Sequence, residues 1–310
     1  MENREKQQGS AEMAALSVLK SKLMHIARND GDYTTALPAL TVHRRDSCTD
    51  PLPCIYDLGL AVSVAGDKQV SGGDRVFEYG AGEGLFASAD MPVVTRVIEA
   101  TPTHPYVGAM LRFDPQRVMQ VAAGITVPQR ARQARATALT RLSLDAPLLE
   151  ALSRYVGLLD EPALCSTLAP LVEQEIIARL LVSDAGPLFM LLNASGSPSR
   201  QITRTMAWLK QHYNESISMD ALAEQAHMSA SSFRQHFKAI AGMSPLQYLK
   251  TIRLQEARQL MLNDGLDAGT SGLQVGYESV SQFSREYARL FGAPPLRDIK
   301  QLRERASRPA

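Results

Sequence analysis

Between Ser229 and Gly242 the chain reads SASSFRQHFKAIAG. Phe233, Phe237 and Ile240 recur at three- and four-residue steps, which places them on one face of a helix. The flanking and opposite positions carry Ser231, Ser232, Arg234, Gln235 and Lys238. Arginine and glutamine can each present a pair of hydrogen bonds to a base edge in a major groove. Lys238 has the point charge suited to a phosphate. The chemistry expected of these residues is nucleic-acid recognition rather than bond making.

About fifty residues further on the pattern returns as LDAGTSGLQVGYESVSQFSREYARLFG, Leu266 to Gly292. Phe283, Tyr287 and Phe291 repeat at helical spacing and leave Ser281, Gln282 and Arg285 facing outward. Each stretch reads as a short helix, a tight turn and a second helix with a polar N-terminal half, which is helix-turn-helix arithmetic. The units span about 218–242 and 266–292. Ser218 can cap the first helix of the first unit, and Gly276 supplies the turn of the second. Any helical bundle shows solvated Arg and Gln opposite an apolar stripe. Two units with matched aromatic spacing are much harder to obtain by accident.

Other chemistries find little footing. His43 and His104 are isolated, so no metal site is expected. No Ser-His-Asp or nucleophile-elbow pattern occurs. GAGEG at 80–84 lacks the Lys-Ser/Thr pair of a phosphate loop and reads as a β-turn. Cys48, Cys54 and Cys165 are too few for a disulfide framework. No catalytic residue and no cofactor is therefore expected. Cys54 reads either as a small buried residue or as a thiol lining a ligand pocket.

These residues need elements to hold them. A helix is expected over Ala14–Ala27. Short β-branched and apolar runs punctuated by Gly, Asp and Pro then predict strands over about 39–114, in a compact barrel or sandwich. Residues 115–192 return to helical periodicity. Asn193–Ser199, NASGSPS, is the predicted linker, and 200–310 is all helical. The fold class is α+β. From Arg200 onward the chain carries 15 Lys and Arg against 10 Asp and Glu, a net +5, while the remainder nets −4. A basic C-terminal part fits a polyanion partner. No apolar run is long enough to cross a bilayer. The N-terminus MENREKQQGS has no apolar stretch behind its charges, so a cytoplasmic protein without a membrane partner is expected.

The stretches LAEQAHMSASSFRQHFK, GMSPLQYLKTIRLQEARQLM and VGYESVSQFSREYARLFGAPPLRDIK make residues 201–303 resemble the AraC/XylS family of transcription regulators. Residues 52–114 are similar, more weakly, to the AraC-type N-terminal domain of one branch of that family. The resemblance implies a cupin-like sensor barrel with flanking helices over 1–192 and a double helix-turn-helix domain over 200–310. It implies a ligand-responsive activator that places each recognition helix in a major groove, about 34 Å apart. The base-reading candidates are Ser231, Ser232, Arg234, Gln235, Ser281, Gln282 and Arg285, with Lys238 on the backbone. The implied partners are double-stranded DNA, an unknown small-molecule effector, RNA polymerase and a second copy of the chain. Cys54, Tyr56, Arg96, His104 and Arg112 are the candidate polar groups of an effector pocket. Gly269 and Gly272 stand where the family has better helix formers, each costing about 1 kcal/mol relative to alanine. The alternatives are an alkyl-accepting repair enzyme fused to the same DNA-binding part, which would need more cysteines, and an architectural binder with little base discrimination.

Overall fold

The computed structural model describes residues 2–125, 137–186, 189–190 and 196–306. A long helix α1 (Glu2–Ile26) leads into strands β1 (Gly31–Thr34), β2 (Leu40–Arg45), β3 (Leu52–Tyr56), β4 (Gly59–Ala65) and β5 (Asp67–Gly72). β6 (Arg75–Tyr79), β7 (Glu83–Ala87), β8 (Met91–Glu99) and β9 (Tyr106–Arg112) follow. Helix α2 (Pro115–Ala123), strand β10 (Leu139–Ser143), α3 (Ala146–Gly157) and α4 (Pro162–Val182) complete the N-terminal part.

The strands form two antiparallel sheets, ordered β1-β2-β9-β4-β7-β10 and β3-β8-β5-β6. Among the described residues no ladder joins them, so the expected barrel is a double sheet rather than a closed cylinder. The sequence of β4, GLAVSVA, explains its place. It is buried at every position, as a strand covered on both faces must be. Leu60, Val62 and Val64 face a core shared with α1, α3 and α4. Ala61 faces the second sheet.

β10 falls inside the stretch expected to be helical. It pairs with β7 from Leu139↔Ala87 to Ser143↔Glu83, giving the edge of the larger sheet a partner. Its sequence, LTRLS, is too short for a stable helix of its own and carries the β-branched Thr140, which suits a strand. Asp114 and Asp145 then start α2 and α3 by accepting hydrogen bonds from the Gln116 and Leu148 amides, each with proline in the first turn.

The C-terminal part is helical throughout its described residues: α5 (Pro198–Gln211), α6 (Met219–Gln225), α7 (Ala230–Ala241), α8 (Pro245–Asn263), α9 (Ala268–Gln274), α10 (Val280–Phe291) and α11 (Pro295–Ala306). Residues 193–195 of the predicted linker lie outside the described residues. Its last two, Pro198 and Ser199, already belong to α5, capped by Ser197.

The two parts share a core. Tyr56, Val70, Tyr79, Met91 and Leu139 of the sheets cluster with Met206, Leu209, Phe233, Phe237 and Tyr248. Lys210 of α5 reaches Asp57 at 2.6 Å and Asp90 at 3.1 Å. The Tyr248 hydroxyl donates to the Asp90 carbonyl at 2.8 Å, and the Ala138 amide to the Ile240 carbonyl at 3.2 Å. No described helix is long and apolar enough to cross a membrane.

Candidate nucleic-acid interface

In the first unit Ser218 caps α6 by accepting from the Ala221 amide, and Ser229 caps α7 by accepting from the Ser232 amide. In the second, Asp267 caps α9 and Ser279 caps α10 by accepting from Gln282. Both α7 and α10 have 12 residues and end at a left-handed glycine, Gly242 at φ 70° and Gly292 at φ 77°. A residue with a Cβ is strained there, and glycine ends the helix without that penalty. The 19-residue helix α8 joins the units. At 1.5 Å per residue it is about 28 Å long, close to one turn of B-DNA.

The aromatic stripes fix the orientation of both second helices. Phe233 and Phe237 are buried, with ring centroids 5.8 Å apart, and Phe237 meets Tyr248 edge-on at 5.4 Å. Phe283 and Tyr287 are equally buried, and Tyr277 meets Phe283 at 5.4 Å. With those faces inward, Ser231, Arg234, Gln235 and Lys238 are exposed along α7, and Ser281, Gln282 and Arg285 along α10. Ser232 is half-buried beside its cap. All eight sequence candidates therefore lie on the two second helices, seven of them exposed.

Gly272 resolves the departure noted in the sequence. A Cβ at that position would stand 3.0 Å from Phe283 Cγ and 3.1 Å from Cδ1. Glycine lets α9 lie directly against the buried ring of α10. Gly269 donates its amide to the capping Asp267 carboxylate at 2.8 Å.

Sequence reasoning missed Glu286. Its carboxylate accepts from Lys250 at 2.7 Å, from the Tyr277 hydroxyl at 2.9 Å and from the Gln282 side chain at 3.1 Å. Burial works to raise its pKa, but these donors outweigh burial and hold it below the ordinary glutamate value. The available signal was Gln282 and Glu286 at i and i+4, which share a helix face.

The structure separates the candidate effector residues. Cys54 and Tyr56 lie on the face of β3 turned toward the other sheet, opposite Val93 and Met91. Burial pushes the Cys54 thiol up to about 11, which keeps it protonated and unreactive at neutral pH. Arg96 lies on the opposite face of β8 and donates to Gln69 at 2.8 Å. His104 sits in the exposed turn after β8, bonded to Thr101 and Thr103. Arg112 ends β9 and donates to the Pro38 carbonyl at 2.7 Å, at the rim of an open groove of about 820 Å³. His43 pairs with Asp32 at 2.6 Å. Among the described residues no three His, Cys, Asp or Glu side chains gather in a group able to hold a metal.

The sequence pattern of the AraC-type transcriptional regulator N-terminus matches residues 36–188, and that of a helix-turn-helix domain matches 222–301. The first match runs well past 52–114, through the helices behind the larger sheet. The HTH-type transcriptional regulator ExsA of Pseudomonas aeruginosa is 28% identical over 130 residues, 42% of this chain and 46% of that protein. The HTH-type transcriptional activator RhaS of Escherichia coli is 31% identical over 112 residues, 36% of this chain and 40% of RhaS. Each match thus spans less than half of the relative. An apo variant of ToxT from Vibrio cholerae shares the fold over 86% of this chain and 98% of its own, with a TM-score of 0.59 and 10% identity. Wild-type ToxT bound to an unsaturated fatty acid aligns over 84% of this chain and 94% of its own, with a TM-score of 0.57 and 10% identity. With its N-terminal and helix-turn-helix regions both matched, in the order and architecture described above, the chain belongs to the AraC family of transcriptional regulators.

Proposed function

We propose that this chain is a sequence-specific DNA-binding regulator that activates transcription in response to a small molecule. One observation carries the reading. Two helices of equal length present Arg234, Gln235 and Arg285 outward, over buried aromatic stripes, from the ends of a connector about one DNA turn long. Those three side chains dominate base readout, and Lys238 holds a phosphate. Ser231, Ser232, Ser281 and Gln282 add contacts of lower discrimination. The double sheet holds the effector. Leu164, Leu171 and Val182, exposed on α4, face a second copy of the chain. RNA polymerase is the downstream partner, and the setting is the cytoplasm.

The test is selection of bound sites from random duplex DNA by the full-length protein. The expected result is two short motifs about one helical turn apart, with affinity that falls steeply as salt rises. Selection that enriches no sequence would overturn the reading.

A further inference from the structure

Gln282 is the third residue of α10, in the N-terminal half that a recognition helix turns to the bases. It is exposed, three residues ahead of Arg285 on the same face. A glutamine amide has two unlike ends: the oxygen accepts and the nitrogen donates. Left free to rotate, it can meet either kind of base edge. Here it is not free. Gln282 Nε2 donates to Glu286 Oε1 at 3.1 Å. An ionised carboxylate has only acceptors, so the nitrogen end alone can face it.

Glu286 is itself held in place. Lys250 of α8 donates to the same Oε1 at 2.7 Å, and the Tyr277 hydroxyl, from the turn before α10, donates to Oε2 at 2.9 Å. The Tyr277 ring is buried against Phe283. Two other elements therefore fix one carboxylate, and that carboxylate fixes one amide. Lys250 also balances its charge, so the pair adds no net negative charge beside DNA phosphates. The first unit has no counterpart. Counting from the capping serines, His236 stands where Glu286 does and Ser232 where Gln282 does. Arg234 only comes within 4.0 Å of Asp220, and both side chains are well exposed.

With its nitrogen committed to Glu286, Gln282 has its oxygen left for a base. Among the described residues that oxygen accepts no hydrogen bond. Every base pair shows the major groove one exocyclic amine, adenine N6 or cytosine N4, and one keto oxygen, guanine O6 or thymine O4. The amine donates to the Gln282 oxygen, whereas the keto oxygen opposes it. We infer that Glu286 is a positioning residue that sets Gln282 to read an exocyclic amine rather than a keto oxygen. This rests on the reading of α10 as a helix that enters the groove.

The experiment first selects sites from random duplex DNA with full-length wild type and with Gln282→Ala, which alters only an exposed side chain. The base pair at which the two sets differ is the one Gln282 faces. Wild type, Gln282→Ala, Glu286→Ala and Glu286→Gln are then titrated with the selected duplex and with two copies carrying base analogues at that pair. One copy lacks the exocyclic amine (purine in place of adenine, for example) and the other lacks the keto oxygen. Gln282→Ala reports any general weakening of the duplex. Measured against it, loss of the amine should cost wild type about tenfold in affinity, and loss of the oxygen less than about twofold. Glu286→Ala should lower the amine effect to about threefold or less. Glu286→Gln should keep it. With its oxygen toward Lys250 and Gln282, its nitrogen faces the Tyr277 hydroxyl, which can also accept. A merely stabilising Glu286 would lower the melting temperature of Glu286→Ala and leave the amine effect intact, which would overturn the proposal. So would a loss in Glu286→Gln as large as in Glu286→Ala. A wild type that responds to the keto oxygen instead would overturn it without any variant of Glu286. If Gln282→Ala changes no position, the proposal fails, while preferences owed to Arg234 and Arg285 keep the DNA reading standing. If wild type enriches no sequence, the DNA reading fails and the proposal with it.

Discussion

The two helix-turn-helix units have the same geometry and different supports. The first shares its core with the N-terminal sheets: Phe233, Phe237 and Tyr248 cluster with Tyr56, Val70 and Met91. Lys210 and Tyr248 bind it to the loops at Asp57 and Asp90. The second unit has a small core of its own around Val275, Phe283, Tyr287 and Ile299. There, buried polar groups take the place that sheet packing has in the first unit. Arg258 makes a two-pronged pair with Asp298, both bonds 2.8 Å, and stacks over Phe291 at 4.3 Å. Tyr287 donates to the same carboxylate at 2.7 Å. The left-handed turn also differs: His227 at φ 54° in the first unit and Gly276 at φ 88° in the second. The helix α7 thus shares a buried core with the sheets, while α10, although it also approaches β3, is held within a small core and buried polar pairs of its own.

The largest expected effect comes from removing that internal support. Asp298→Ala leaves the buried Arg258 guanidinium unpaired and the Tyr287 hydroxyl without its acceptor. Breaking a buried pair on one side costs about 3–5 kcal/mol. Amide exchange measured along the chain should show α10 and α11 losing protection while α7 keeps its own. Equal loss in both units would show that they fold as one and would break the comparison.

DNA readout gives the next effect. Arg234→Ala and Arg285→Ala should each cost about 1–3 kcal/mol and relax preference at separate base pairs, about one helical turn apart. Lys238→Ala should instead weaken all sequences alike and reduce the salt slope by roughly one unit. Site selection on each folded variant distinguishes these outcomes. Variants that lose affinity with unchanged sequence preference would show that these helices do not read the groove.

The units were readable in the sequence because their information is local. Aromatic spacing, serine caps and terminal glycines all act within about 25 residues, and they place Arg234, Gln235 and Arg285 without knowledge of the rest of the fold. The N-terminal half was legible only as strands and turns. β10 was missed because its reason for being a strand is the edge of β7, more than fifty residues away in sequence. The inward and outward side chains of the sheets were harder still. Arg96 and Lys68 look alike as cations on strands, and only the register of β5 between β6 and β8 turns one outward and the other inward. Glu286 was missed because one of its main partners, Lys250, lies on another helix.

A smaller effect tests the first unit's attachment to the sheets. Lys210→Met removes the cation between Asp57 and Asp90. These side chains are partly exposed, so the loss should be about 1 kcal/mol, well below that of a fully buried pair. Faster amide exchange in α5 and α7, with α10 unchanged, is the expected signature. Faster exchange in α10 would show that the attachment supports both units.

The smallest effect is a difference in acid sensitivity. Glu286 links α10 to α8 and to the turn at Tyr277, and Lys250, Tyr277 and Gln282 hold its pKa below the ordinary value near 4.5. A carboxyl whose pKa falls on folding adds stability that is present above its unfolded pKa and lost as pH drops through the folded one. The second unit should therefore begin to loosen below about pH 4.5. At the matching position of the first unit stands His236, which has no such carboxylate to lose. Lys250 and Glu286 are partly open to solvent, so the contribution should stay under about 1 kcal/mol. Glu286→Gln isolates it from the other carboxylates of the chain. Amide exchange from pH 6 to about pH 3.5 should show α10 losing protection before α7 in the wild type, with the gap narrowed in the variant. An unchanged gap would assign the acid sensitivity to another carboxylate and leave Glu286 with a positional role only.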